Sequence, residues 1–143
     1  MRFGVAALSL AVPASGVASP RLDYALHCMG CHQADGSGMS GRVPSLVHSI
    51  GRFLWAPGGR AYLVRVPGSA QSAISDRRLA ALLNWLLEEF ADEPLPPDFR
   101  PYSESEVARA RRHPLVDVSP MRAALLAAAA RARGDVPGAG APE

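Results

Sequence analysis

Cys28 and Cys31 stand three positions apart with His32 directly after them, and they are the only cysteines in the chain. Positions i and i+3 lie about one helical turn apart, so on a helix both thiols face one side. Two thiols so placed reach the two vinyl groups of a single porphyrin, and the next residue's imidazole falls beneath the iron. Cys-x-x-Cys-His is accordingly the attachment signature of a c-type haem. A structural zinc site would need a fourth ligand from His27 or His48, and three ligands within five residues crowd a tetrahedral ion. A thioredoxin-like redox pair follows a strand in a βαβ pattern, and no such pattern surrounds these cysteines. A disulfide across so short a loop is strained. The expected cofactor is one covalently attached haem c, with His32 as the proximal iron ligand.

Composition removes several other chemistries. The 15 basic residues are all arginine, so a P-loop, a pyridoxal Schiff base and a lysine nucleophile are excluded. Against 13 acidic residues they leave a formal charge of only +2, which does not suggest a nucleic-acid partner. The string Gly36-Ser37-Gly38-Met39-Ser40-Gly41 satisfies G-x-G-x-x-G, but a dinucleotide site needs a strand before it and a helix opening on it. Here Cys31-His32 precedes and Pro44 follows. At 143 residues the chain has room for one small core.

Arg2, the apolar run Phe3 to Val12 and the small residues Ala14 to Ala18 form the pattern of a secretory signal, with cleavage after Gly16 or Ala18. The run is shorter than the roughly 20 apolar residues a bilayer span requires. Export to the periplasm is expected, with no integral membrane span after cleavage. Ser19-Pro20 then offers an N-cap and a first-turn proline for a short helix leading to the cysteines. Gln33 to Pro44 is turn-rich, and Arg60 to Val66 allows about two helical turns before Pro67-Gly68 stops them. Beyond the Ser75-Asp76 cap, Leu79, Leu82, Leu83, Leu86 and Phe90 form one buried helical face. Pro94, Pro96, Pro97 and Pro101 make the next stretch an extended spacer. Ser103 with Glu106 forms a capping box for a helix through about Arg112, Met121 to Arg133 is a second, Ala-rich helix, and Gly134 to Glu143 is a tail.

Leu22 to Phe90 resembles the class I c-type cytochromes. The resemblance rests on Cys28-x-x-Cys31-His32, on Asp35-Gly36-Ser37-Gly38 leading to Val43-Pro44-Ser45-Leu46, and on Ile74-Ser75-Asp76 running into Leu82-Leu83-Asn84-Trp85-Leu86. It implies an all-α fold, a small cytochrome c-like helical haem domain over 19–92. To this the chain adds a signal peptide over 1–18 and a Pro-rich spacer with a helical C-terminal extension over 93–143. It also implies that the Pro44 carbonyl accepts a hydrogen bond from His32 and orients it, and that Trp85 packs across the first helix. The implied function is electron transfer rather than catalysis, with a redox protein such as a dehydrogenase or oxidase as partner.

One departure affects the iron. The family's sixth ligand is a methionine in the loop before the last helix, and here Val66 to Ala73 contains none. His48, Met39, Met121 or no residue at all are the remaining possibilities. With no sixth ligand the site would be open, and the alternative function is a haem-based ligand-binding or sensing protein. A zinc-stabilised interaction module is the third reading.

Charge is also segregated. Six arginines lie between Arg42 and Arg78 with one acid, and seven acids lie between Glu88 and Glu106 with one arginine. The arginines are expected to meet haem propionates, an acidic partner or solvent. The two C-terminal helices, from about Ser103 to Arg133, are short and set off by prolines, so they are expected to bind a partner rather than help hold the haem, with burial against the haem domain as the alternative.

Overall fold

The computed structural model describes residues 19–135, so the signal-like segment lies outside the described residues. These residues form α1 (Pro20–His27), α2 (Met29–His32), a 3-10 helix (Gly51–Trp55), α3 (Gly59–Arg65), α4 (Pro67–Ala70), α5 (Asp76–Phe90), α6 (Glu104–Arg111) and α7 (Ser119–Arg133). Among them the only β pairing is an isolated bridge between Met39 and Val43. The fold is all-α and cytochrome c-like.

Local chemistry sets the helix starts. Ser19, Ser75 and Ser103 each accept a backbone N–H with their hydroxyl, from Leu22, Arg78 and Glu106 respectively. Pro67 does not merely stop α3; its fixed φ begins the single turn of α4. The 3-10 helix has no counterpart in the sequence pattern. It depends on contacts from afar, because Trp55 Nε1 donates to the Pro94 carbonyl at 3.1 Å and Arg122 lies over the Phe53 ring.

Helix α5 is the spine. Leu79, Leu82, Leu83, Leu86 and Phe90 are buried as their spacing requires, with Ala80 and Leu87 beside them. Across it lies α1, whose Tyr24 sits 5.5 Å from the Trp85 ring and 5.4 Å from the Phe90 ring, centroid to centroid. Trp85 thus packs across the first helix, with Tyr24 as the buried partner. Asp23 of α1 is fully buried and ion-paired to Arg78 of α5, closing the same helix crossing.

The C-terminal segment does not stand apart. Tyr102, Val107, Leu125 and Ala129 belong to the same buried cluster as Tyr24 and Leu82. Helix α6 packs on α5 and α3, and α7 packs on the 3-10 helix. The four-proline stretch is extended, but it is a strap rather than a spacer. Asn84 fixes it by accepting from the Tyr102 N–H at 2.7 Å and donating to the Tyr102 carbonyl at 3.1 Å. The expectation of a segment reserved for a partner is therefore corrected. Short helices gain stability by burying an apolar face, and α3, α5 and the 3-10 helix provide the surface.

The charge blocks pair with each other. Arg52 meets Glu93, Arg60 meets Glu106 and Arg77 meets Glu104. Of the six arginines, these three and the Asp23-bound Arg78 are taken up within the chain, so the expected docking patch is largely dissolved. The same pairs account for Arg77 and Arg78 in the first turn of α5, where the helix dipole alone disfavours cations. Glu88 and Glu89, at the other end, are exposed and make no ion pair among the described residues.

Arg60 is the densest of these junctions. It forks onto both Glu106 oxygens at 2.8 and 2.9 Å, donates to the Arg100 carbonyl and lies 4.2 Å over the Tyr102 ring. The Glu106 N–H donates to the Ser103 hydroxyl at 3.2 Å, and its carboxylate is shared between Arg60 and the cap. The Arg60 hydrogen bond holds the Glu106 carboxyl below the usual carboxylate range. A depressed folded pKa gives stability that is present at neutral pH and lost as pH falls below about 4.3 toward the folded value. Glu106→Gln will consequently lose less unfolding free energy than the parent between about pH 6 and pH 3, measured by urea titration.

Candidate functional site: the cysteine-histidine turn and its loop

Helix α1 ends at His27, and α2 carries the motif as a single turn in which the His32 N–H donates to the Cys28 carbonyl at 2.9 Å. Cys28 is half-buried and Cys31 exposed. Burial, with the charge of Asp23 adding to it, pushes the Cys28 thiol up to about 11. A thiol so shifted is protonated at neutral pH, the opposite of the acidic thiol that a thioredoxin-like pair requires. Among the described residues no strand precedes it either. Among the described residues no three His, Cys, Asp or Glu side chains gather as a metal cluster. His27 faces a different segment and His48 binds Asp92 at the surface, so neither completes a zinc set.

After His32 the chain reverses. Gln33 takes a positive φ of 61°, its carbonyl accepting from the buried Tyr24 hydroxyl at 2.6 Å. Positive φ is unfavourable for a non-glycine residue, and this hydrogen bond to the core helps hold it. Gly36 and Gly38 follow at φ 74° and 73°. A Cβ on Gly36 would lie 2.9 Å from the Phe90 ring, and one on Gly38 would lie 2.8 Å from the Pro44 carbonyl oxygen and strike that of Val43. The Gly38 N–H donates to the His32 carbonyl at 3.1 Å. Glycine at 38 thus lets the Val43-Pro44 backbone approach the His32 turn closely. The G-x-G-x-x-G string serves this reversal and, among the described residues, has no strand before it.

His32 is half-buried, and its Nδ1 is buried without a hydrogen-bond partner of good geometry. Burial lowers its pKa, and the Pro44 carbonyl acts in the opposite sense. The balance favours a neutral imidazole, the form that ligates metal. A buried ring nitrogen beside a backbone carbonyl is the arrangement in which Nδ1–H is held by protein while Nε2 ligates iron. The residues present therefore fit a covalently held haem: two thiols on one turn, a neutral imidazole after them, and a carbonyl placed to orient it.

A cleft opens beside the end of α1, with none of Cys28, Cys31 and His32 in its lining. His27 faces Pro67, Gly68, Gln71, Ser72 and Ala73 across an open cleft of about 390 Å³. None of the candidate sixth ligands lines it. Met39 is bridged to Val43 in the loop that leads to Pro44. His48 is exposed, paired with Asp92 at the end of α5, and Met121 sits on α7. Nothing in the sequence singled out Gly38's part.

No family model matches the chain. It is similar to two curated proteins, a cytochrome c-552 of Thermus thermophilus and the cytochrome c-552 of one particular strain of the same species. Each is 29% identical over 102 residues, which covers 59% of this chain. The matched span is 78% of the first relative and 69% of the second.

Proposed function

We propose, from the premise that this chain is a class I c-type cytochrome acting in electron transfer, that it is an exported, periplasmic carrier of one haem c serving a redox protein such as a dehydrogenase or oxidase. Bound haem supplies a one-electron iron couple. Everything else is done by the chain. Cys28 and Cys31 would hold the ring by thioethers, His32 would ligate the iron, and the Pro44 carbonyl would orient the His32 ring from its Nδ1 side. Tyr24, Trp85 and Phe90 keep the motif turn locked on α5. The chain moves no substrate atoms and works as a carrier, not an enzyme.

The observation that carries this reading is the buried His32 Nδ1 next to the Pro44 carbonyl, directly behind two thiols on one turn. Export is supported by the sequence of residues 1–18, and among the described residues no helix is long and apolar enough to cross a membrane. A protein partner is supported by Leu22, Leu26 and Met29, spaced i, i+4, i+7 beside the cysteines and left in solvent, Leu26 being 65% exposed.

The lack of a methionine from Val66 to Ala73 favours a second reading, a haem protein with an open site that binds small ligands. One measurement separates the two. As a pure carrier with both axial positions filled, the dithionite-reduced protein will keep its visible spectrum under CO. An immediate Soret shift will establish an open site instead. Absence of any haem spectrum from protein matured with its cofactor will defeat both.

A further inference from the structure

We infer that Tyr24 is a positioning residue for His32, acting through its hydroxyl: it holds the Gln33 peptide in a conformation that glutamine resists, keeps the His32 ring at the Pro44 carbonyl, and so lowers the reduction potential of the bound haem. The inference rests on the haem reading above and extends it to the control of the iron couple.

Tyr24 has two separable parts. Its ring is buried against Trp85 and Phe90, at 5.5 and 5.4 Å centroid to centroid, and packing of that kind needs no oxygen. The hydroxyl serves the motif turn instead. It donates to the Gln33 carbonyl at 2.6 Å and stands 3.5 Å from the His32 carbonyl. Both acceptors belong to the turn that carries the imidazole.

Gln33 is where that turn is strained. Its φ of 61° and ψ of 170° form a combination that glycine adopts freely and a residue with a side chain does not. Released, Gln33 would return to negative φ, and the peptides on either side would rotate with it. Two glycine N–H groups depend on those peptides. Gly36 donates to the Gln33 carbonyl at 3.4 Å, and Gly38 donates to the His32 carbonyl at 3.1 Å. Gly38 is also the residue that lets the Pro44 backbone come close. Among the described residues the Tyr24 hydroxyl is the one side-chain donor on the Gln33 carbonyl, and the ring that bears it is anchored on α5. The effect on the iron runs through Nδ1, which lies buried beside the Pro44 carbonyl. A carbonyl that accepts from Nδ1–H makes the imidazole a stronger donor at Nε2, which favours ferric over ferrous iron. A turn free to relax keeps His32 at Pro44 for less of the time, and the potential rises.

The test uses the mature haem-bearing protein as Tyr24→Phe, Gln33→Gly and the two combined, read by spectroelectrochemical titration and by amide hydrogen exchange. Tyr24→Phe keeps the ring and removes one hydrogen bond. Exchange at Gly36 and Gly38 is expected to rise about fivefold, exchange at Leu82 and Leu83 in α5 to stay unchanged, and the reduction potential to rise. Glycine at 33 has no preferred region to relax into, so in the Gln33→Gly background the same Tyr24→Phe change will move the potential at most about half as far. An unchanged or lowered potential in Tyr24→Phe overturns the proposal, and so does an equal shift in both backgrounds. Exchange that rises across α5 as much as in the turn makes the hydroxyl a general core contact and also overturns it. If Tyr24→Phe retains no haem, the double variant decides: haem regained with Gln33→Gly supports the proposal, and continued loss overturns it. Should the parent protein bind no haem, the haem reading fails, whereas exchange at Gly36 and Gly38 still reports whether the hydroxyl holds the turn.

Discussion

His32→Ala will abolish the native visible spectrum of the haem-bearing protein while leaving pigment bound to the chain. The thioether positions, Cys28 and Cys31, are untouched by the change, so haem staining after denaturing electrophoresis will still mark the monomer. Lost instead is the half-buried imidazole whose Nδ1 sits beside the Pro44 carbonyl. Water or an outside base will take the vacated position, and with it goes the fixed ligand field that protein orientation provides. The complementary variants, Cys28→Ala with Cys31→Ala, will show the reverse: no stained band, whatever pigment associates. An unchanged Soret band in His32→Ala, or pigment that acid-acetone extracts from the parent protein, will show that the iron is held otherwise.

Truncation after Asp92 will unfold the protein or strip its stability to the point where haem is no longer retained. The cut removes Tyr102, Val107, Leu125 and Ala129 from the buried cluster and Leu95 and Phe99 from its margin. Fully burying a large apolar side chain contributes about 1.5–3 kcal/mol, and a small domain has only about 5–15 kcal/mol in total. Several such losses together match the whole. The cut also orphans Asn84, which holds the Tyr102 backbone, and leaves Arg52, Arg60 and Trp55 Nε1 without Glu93, Glu106 and the Pro94 carbonyl. The measurement is the melting temperature and visible spectrum of the truncated holoprotein. If both match the full chain, residues 93–135 are an appendage after all.

These two predictions draw on different kinds of information. Cys28, Cys31 and His32 were legible because their relation is local: one helical turn fixes where two thiols and an imidazole lie, whatever the rest of the chain does. Helix starts at Ser19, Ser75 and Ser103 were legible for the same reason, since a cap needs only three further residues. The buried face of α5 followed from its period. Pro44 was suggested by resemblance, and the geometry adds why it can approach, namely a glycine at 38 where a side chain would collide with its carbonyl.

Long-range pairing was not legible. A run of arginines and a run of acids look like two patches until the strap folds back and brings Arg52 to Glu93, Arg60 to Glu106 and Arg77 to Glu104. Four prolines look like a spacer, because sequence reports stiffness but not the surface along which a stiff segment lies. Arg111 was one charge among several on a short helix, and its bonds to residues 70–76 exist only once α6 is seated beside α5. By itself the sequence determined the cysteine-histidine turn and the helices that flank it, since both rest on contacts within a few residues. Only the tertiary structure decided that the C-terminal helices complete the core and hold residues 70–76, because those contacts join residues some 40 positions apart, as Arg111 and Ala70 show.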